Sequence, residues 1–139
     1  MNETGTDSDS PGLSRRAARR VIQRAFVLAG RDRNVRQHIR EAEFTTLWTI
    51  ADWEFTWTVM LDRGRMRFER RPSKRPSLTL TWPTAAEFFG QVEAGRLTPH
   101  LASEAPPPRR TIEIVCHAFC RSLGEVLRNP VDENDDPLI

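Results

Sequence analysis

Leu78-Thr-Leu-Thr-Trp-Pro-Thr-Ala-Ala-Glu-Phe-Phe-Gly-Gln-Val-Glu-Ala-Gly-Arg-Leu-Thr-Pro99 is the stretch that decides the fold. Leu78, Leu80 and Trp82 alternate with Thr79 and Thr81, the period of a half-buried strand. Pro83 and Thr84 stop that strand, and Thr84 followed three residues later by Glu87 has the spacing of a capping box, which satisfies orphan donors at a helix start. Phe88, Phe89 and Val92 then supply an apolar stripe, and Gly95 is placed to end the helix in the left-handed conformation. A strand followed at once by a helix implies an α/β unit.

Working outward, upstream residues repeat the strand period. Phe44, Thr46, Trp48 and Ile50 share one face, and beyond Ala51-Asp52 the phase flips so that Trp53, Phe55, Trp57, Val59 and Leu61 align. A flip of this kind requires a tight turn or a bulge. Asp62-Arg63-Gly64 predicts a hairpin into a third strand carrying Met66 and Phe68, and the basic, proline-containing segment 70–76 reads as a loop. Before the strands, Ala17, Ala18, Val21, Ile22, Ala25, Phe26 and Ala29 predict an amphipathic helix from Ser14 to Gly30, with arginines on its other face. A short helix is expected over 35–42. Past Pro99, Pro106-Pro107-Pro108 reads as a stiff connector. Thr111 to Val115 reads as a fifth strand, and Cys116 to Leu127 as a final helix.

These residues resemble the sterol carrier protein type 2 family of small lipid-binding domains. The resemblance rests on Thr56-Trp57-Thr58-Val59 with the Leu61-Asp62-Arg63-Gly64 hairpin, on Phe89 six residues before Gly95, and on the Gly95-Arg96-Leu97-Thr98-Pro99 exit, where Thr98 stands in the family's Asn place. It spans about residues 44–127, and no single motif in it is decisive. It implies an α+β fold, a five-stranded, mostly antiparallel sheet covered by helices on one side, with an apolar tunnel between the layers. The last strand and helix depart from the family pattern, since no glycine-rich turn opens the final helix. On this reading residues 1–12 are a disordered tail, 13–129 one domain of this type, and 130–139 an acidic, mobile tail.

The function implied is non-covalent binding of a hydrophobic small molecule, such as a sterol, acyl chain or polyketide-like compound, with no cofactor. Trp48, Phe55, Trp57, Val59, Leu80, Trp82, Phe89, Val92, Phe119 and Leu123 are the expected lining. The same residues would equally fill an ordinary core. A second class is a cofactor-free cyclase, isomerase or dehydratase, for which Asp52 and Glu54, flanking Trp53, and His100 and His117 are the candidate proton-transfer groups. Cys116, expected at a strand-to-helix junction, is a weaker nucleophile candidate. A third class is an interaction module that docks a partner through the arginine helix or the acidic tail.

Composition bounds these choices. The 139 residues suit one domain with a real core, and the formal charge is only +2. Lys74 is the single lysine among 21 basic residues, a bias expected of a GC-rich genome, so a nucleic-acid partner is not inferred and a solvated arginine face is expected. No apolar run is long enough for a transmembrane segment and no signal peptide is read, which leaves a cytoplasmic location as the default expectation. Cys116 and Cys120, four apart on one helix, are expected to stay reduced, and neither they nor the three histidines have metal-ligand spacing.

Overall fold

The structure, a computed structural model, describes residues 12–103, 105 and 108–139. Residues 1–11 of the expected N-terminal tail, and Pro106 and Pro107 of the connector, lie outside the described residues. Helix α1 (Arg15–Gly30) and short α2 (Arg33–His38) precede strands β1 (Glu43–Ile50), β2 (Phe55–Asp62), β3 (Arg65–Glu69) and β4 (Leu78–Trp82). Helix α3 (Ala85–Ala94), strand β5 (His100–Ala102) and helix α4 (Arg109–Arg128) follow. The sheet order is β3-β2-β1-β4-β5, with β1 and β4 parallel and the other pairs antiparallel.

The register explains the core. Trp48 is paired with Trp57 on one side and Leu80 on the other, and Ile50 with Phe55 and Trp82, so the apolar positions of three strands fall on one face. The opposite face carries half-buried Thr45, Thr49, Thr56, Thr79 and Thr81 and is left uncovered by the helices, which accounts for the alternation in the sequence. Helices α1 and α4 pack together over the apolar face, and α3 packs on α4 and β4. Phe26, Phe119, Ile22, Leu80 and Leu123 are fully buried between the layers; each side chain of this size contributes roughly 1.5–3 kcal/mol by leaving water.

Local signals behave as the residues dictate. The Thr84 hydroxyl accepts the Glu87 N–H at 3.0 Å, and Gly95 adopts φ 84° at the end of α3. Asp32 caps α2 through the Val35 N–H, 3.1 Å away. Arg63 and Gly64 both take positive φ, 51° and 91°, in the two-residue hairpin, and their N–H groups bond Ala42 and Ile39 carbonyls. The phase flip falls at a 3-10 turn, Ala51–Trp53, followed by Glu54 in the left-handed region.

One expectation gives way. Residues 111–115 are the first turns of α4 and the fifth strand lies at 100–102. The β-branched run Thr111-Ile112-Ile114-Val115 suggested a strand, but Ile112, Val115, Cys116, Phe119, Cys120 and Leu123 form one continuous helical stripe, all of it buried, and burial of that stripe outweighs a weak propensity. The acidic segment 130–139, expected as a mobile tail, carries local hydrogen bonds: Asp132 accepts from the Asn134 and Asp136 N–H groups, Leu138 N–H donates to the Pro130 carbonyl, and Glu133 pairs with Arg31 at 3.6 Å. No helix among the described residues is long and apolar enough to cross a membrane.

Candidate functional site

The ten residues expected to line a ligand site are all buried, and they lie together between sheet and helices. Their rings reach one another. Trp48 lies 5.2 Å from Phe119 and 5.7 Å from Trp82, Phe55 lies 5.5 Å from Trp57, and Phe89 lies 5.9 Å from Trp53. The Trp48 indole N–H donates to the Thr46 hydroxyl at 2.9 Å, which in turn donates to the Val59 carbonyl at 2.8 Å. The Trp57 indole N–H is buried without a hydrogen-bond partner among the described residues, a donor whose desolvation costs about 1–3 kcal/mol.

An open cleft of about 500 Å³ lies beside this interior, between the start of α4 and the segment 95–101. Its volume falls in the range of small-molecule sites. Leu97, Ile112 and Cys116 contribute buried apolar surface and Leu101 a half-buried side chain, while exposed Arg96, Arg109, Glu113 and His117 surround them. The cleft wall is held by Gln91, whose Oε1 accepts from the Trp82 indole N–H at 2.9 Å and from the Thr98 N–H at 2.7 Å. Together with the left-handed Gly95, this clamp turns the chain out of α3 and back toward the sheet edge at β5.

The four proton-transfer candidates are scattered. The Asp52 carboxylate accepts the Ala85 N–H at 2.9 Å and so caps α3, and because residues 51–53 turn, Asp52 and Glu54 do not share an extended face. His100 is exposed on β5; of the four, His117 borders the cleft. Cys116 sits well inside α4, not at its N-terminus. Burial, then the neighbouring Cys120 and Glu113, push its thiol up to about 12, which leaves no thiolate for nucleophilic chemistry at neutral pH.

The cleft residues Arg96, Leu97, Arg109 and Ile112, and the Gln91 clamp, were not singled out as site residues from sequence. The Gly-basic-apolar exit was the one signal pointing there. With the helix start misplaced, Arg109 and Ile112 had no structure to which a site could be attached.

No family model matches the chain, and no curated protein matches it. Among solved structures it is similar to the stereoselective inverting sec-alkylsulfatase Pisa1 from Pseudomonas sp., at 13% identity and a TM-score of 0.44 over 58% of this chain. The match takes in 13% of that enzyme's chain, so this protein spans a small part of its length.

Proposed function

We propose that this protein is a cytoplasmic binder or carrier of a hydrophobic small molecule with an anionic head, a fatty acyl chain being its simplest form. The cleft between α4 and the segment 95–101 carries the reading: an apolar floor of Leu97, Leu101, Ile112 and Cys116, with a rim where Arg96 and Arg109 outnumber the one carboxylate, Glu113, beside His117. Burial of an alkyl chain there gains about 0.8 kcal/mol per methylene removed from water, and the guanidinium groups favour a carboxylate at the mouth. The resemblance to sterol carrier domains supports the same class of ligand. A catalytic role would have to run through His117, because Asp52 is committed to capping α3.

Displacement of a fluorescent long-chain fatty acid by palmitate tests this. The expected result is saturable one-to-one binding that Leu101→Asp weakens by at least about tenfold, since a charge on the floor must be desolvated with the ligand. Absence of saturable binding, or a folded Leu101→Asp variant that binds like wild type, would remove the proposal.

A further inference from the structure

A second concavity, of about 590 Å³, lies where the first turns of α1 meet the corner between β1 and β2. Arg15, Arg16, Arg19 and Arg20 line it from the helix, and Arg70, from the loop after β3, lines it from the sheet. The arginines on α1 have the spacing of one helix face, and a face of that kind is ordinarily just solvated. Three observations set this one apart.

The first is preorganisation. The Arg19 guanidinium lies 4.2 Å from the centre of the Phe55 ring and 6.0 Å from that of Trp57, and Arg15 lies 5.3 Å from that of Trp53. Cation–π attraction to a ring restrains a guanidinium and leaves N–H groups free to donate. The second is charge. Among the described residues no carboxylate lines the pocket, and none of its five arginines has an ion-pair partner. Arg31, Arg63, Arg67 and Arg121 are paired with Glu133, Glu43, Asp62 and Asp32, whereas Arg33, Arg36, Arg40 and Arg65, also without ion-pair partners among the described residues, line another open concavity that no aromatic ring lines. Burial and the charge of Arg70 both lower the Arg19 pKa, the mark of cations held together without a counter-charge. The third is the state of the rings. Trp53 and Phe55 are buried beneath the guanidinium groups, so they offer no open face on which a nucleobase would stack.

We propose that this pocket binds a ligand through two or more adjacent phosphoryl groups, each held by bidentate guanidinium contacts. The site reads charge and phosphate geometry, and it is separate from the apolar cleft, so it stands or falls independently of the lipid-binding reading. A polyphosphorylated lipid headgroup and a free polyphosphate share this chemistry.

Calorimetric titration of the full chain with tripolyphosphate at physiological ionic strength is the test. Saturable one-to-one binding is expected, weakened at least about tenfold in Arg19→Gln/Arg70→Gln and less than about twofold in Arg36→Gln/Arg40→Gln, which removes equal charge from another exposed patch. Because Arg19 packs on aromatic rings, Arg70→Gln alone, at an exposed loop position, provides a variant with no packing to lose and is expected to weaken binding several-fold. Phosphatidylcholine vesicles containing phosphatidylinositol bisphosphate separate the two sources. Binding that tripolyphosphate competes away assigns the pocket to a headgroup; tripolyphosphate binding with no vesicle binding assigns it to a free anion. Absence of saturable binding, equal weakening in the two double variants, or equal retention on phosphatidylserine vesicles of matched charge would overturn the proposal.

Discussion

Along one side of α4, between the sheet and α1, ring meets ring: Phe26 lies 4.4 Å from Phe119, 5.2 Å from Trp48 and 5.4 Å from Phe68. In the first half of the same helix, Ile112 and Cys116 line, with Leu97 and Leu101, a cleft that nothing in the described chain fills. The first region has its apolar groups satisfied within the fold, so its residues work for stability. The second leaves Leu101 half-buried above Leu97, Ile112 and Cys116, at a concavity open to solvent. Where the chain puts its largest side chains is therefore not where the ligand is proposed to bind, and the separation can be tested by substitutions that move stability and binding independently.

Phe26→Ala should have the largest effect on stability. It removes the ring shared by Trp48, Trp57, Phe68 and Phe119, and a loss of about 3–5 kcal/mol is expected in urea denaturation, with fatty-acid affinity retained by the folded fraction. A comparable loss of affinity per folded molecule would break the distinction between interior and cleft.

Alkaline pH should act next. The folded Cys116 pKa is about 12, above its ordinary value of 9.0, so the folded state keeps the proton where the unfolded chain has lost it. Stability from this thiol is complete below pH 9 and declines as the pH rises toward 12, by about 1.4 kcal/mol per pH unit. Denaturation midpoints measured at pH 8 and 10.5 should fall less in Cys116→Ala than in wild type. Iodoacetamide at pH 8 should leave Cys116 unmodified in the native protein.

Asp52→Ala should cost about 1 kcal/mol, the worth of a helix cap, without changing fatty-acid binding; altered binding would return Asp52 to the site. The smallest stability effect belongs to Arg109→Gln at the exposed cleft rim, within about 0.5 kcal/mol of wild type. This variant sharpens the comparison from the other side, since it should bind palmitate several-fold more weakly and hexadecanol as well as wild type does.

Much of the architecture was legible in the residues. The Thr-Leu alternation at 78–82, the Thr84 cap, the Gly95 exit and the Arg63-Gly64 hairpin each carry a local signal that the fold obeys, and the apolar stripe of α1 is buried as its spacing requires. Residues 111–115 misled because β-branched side chains alternating with polar ones look the same in a strand and in the first turns of a helix, and the packing that separates the two is tertiary. The residues expected as lining are buried as a set, and burial leaves a period in the sequence. The cleft left no such period. Its walls come from the α3 exit, β5 and the start of α4, and its clamp is a single Gln91 whose partners, Trp82 and Thr98, are nine residues before it and seven after it. The placing of Arg15 and Arg19 over Trp53 and Phe55 was hidden for the same reason: the i, i+4 spacing of the arginines is visible, but the rings beneath them come from another element.

The most direct test of lipid binding in the cleft is a methyl and indole NMR titration of the labelled protein with a long-chain fatty acid. The methyl signals of Leu97, Leu101 and Ile112 should shift together and saturate at one equivalent, while the indole N–H signals of Trp48 and Trp57 stay in place. Movement of the indole signals, above all that of the unpartnered Trp57, with the cleft methyls unmoved, would put the ligand between the layers and contradict the account.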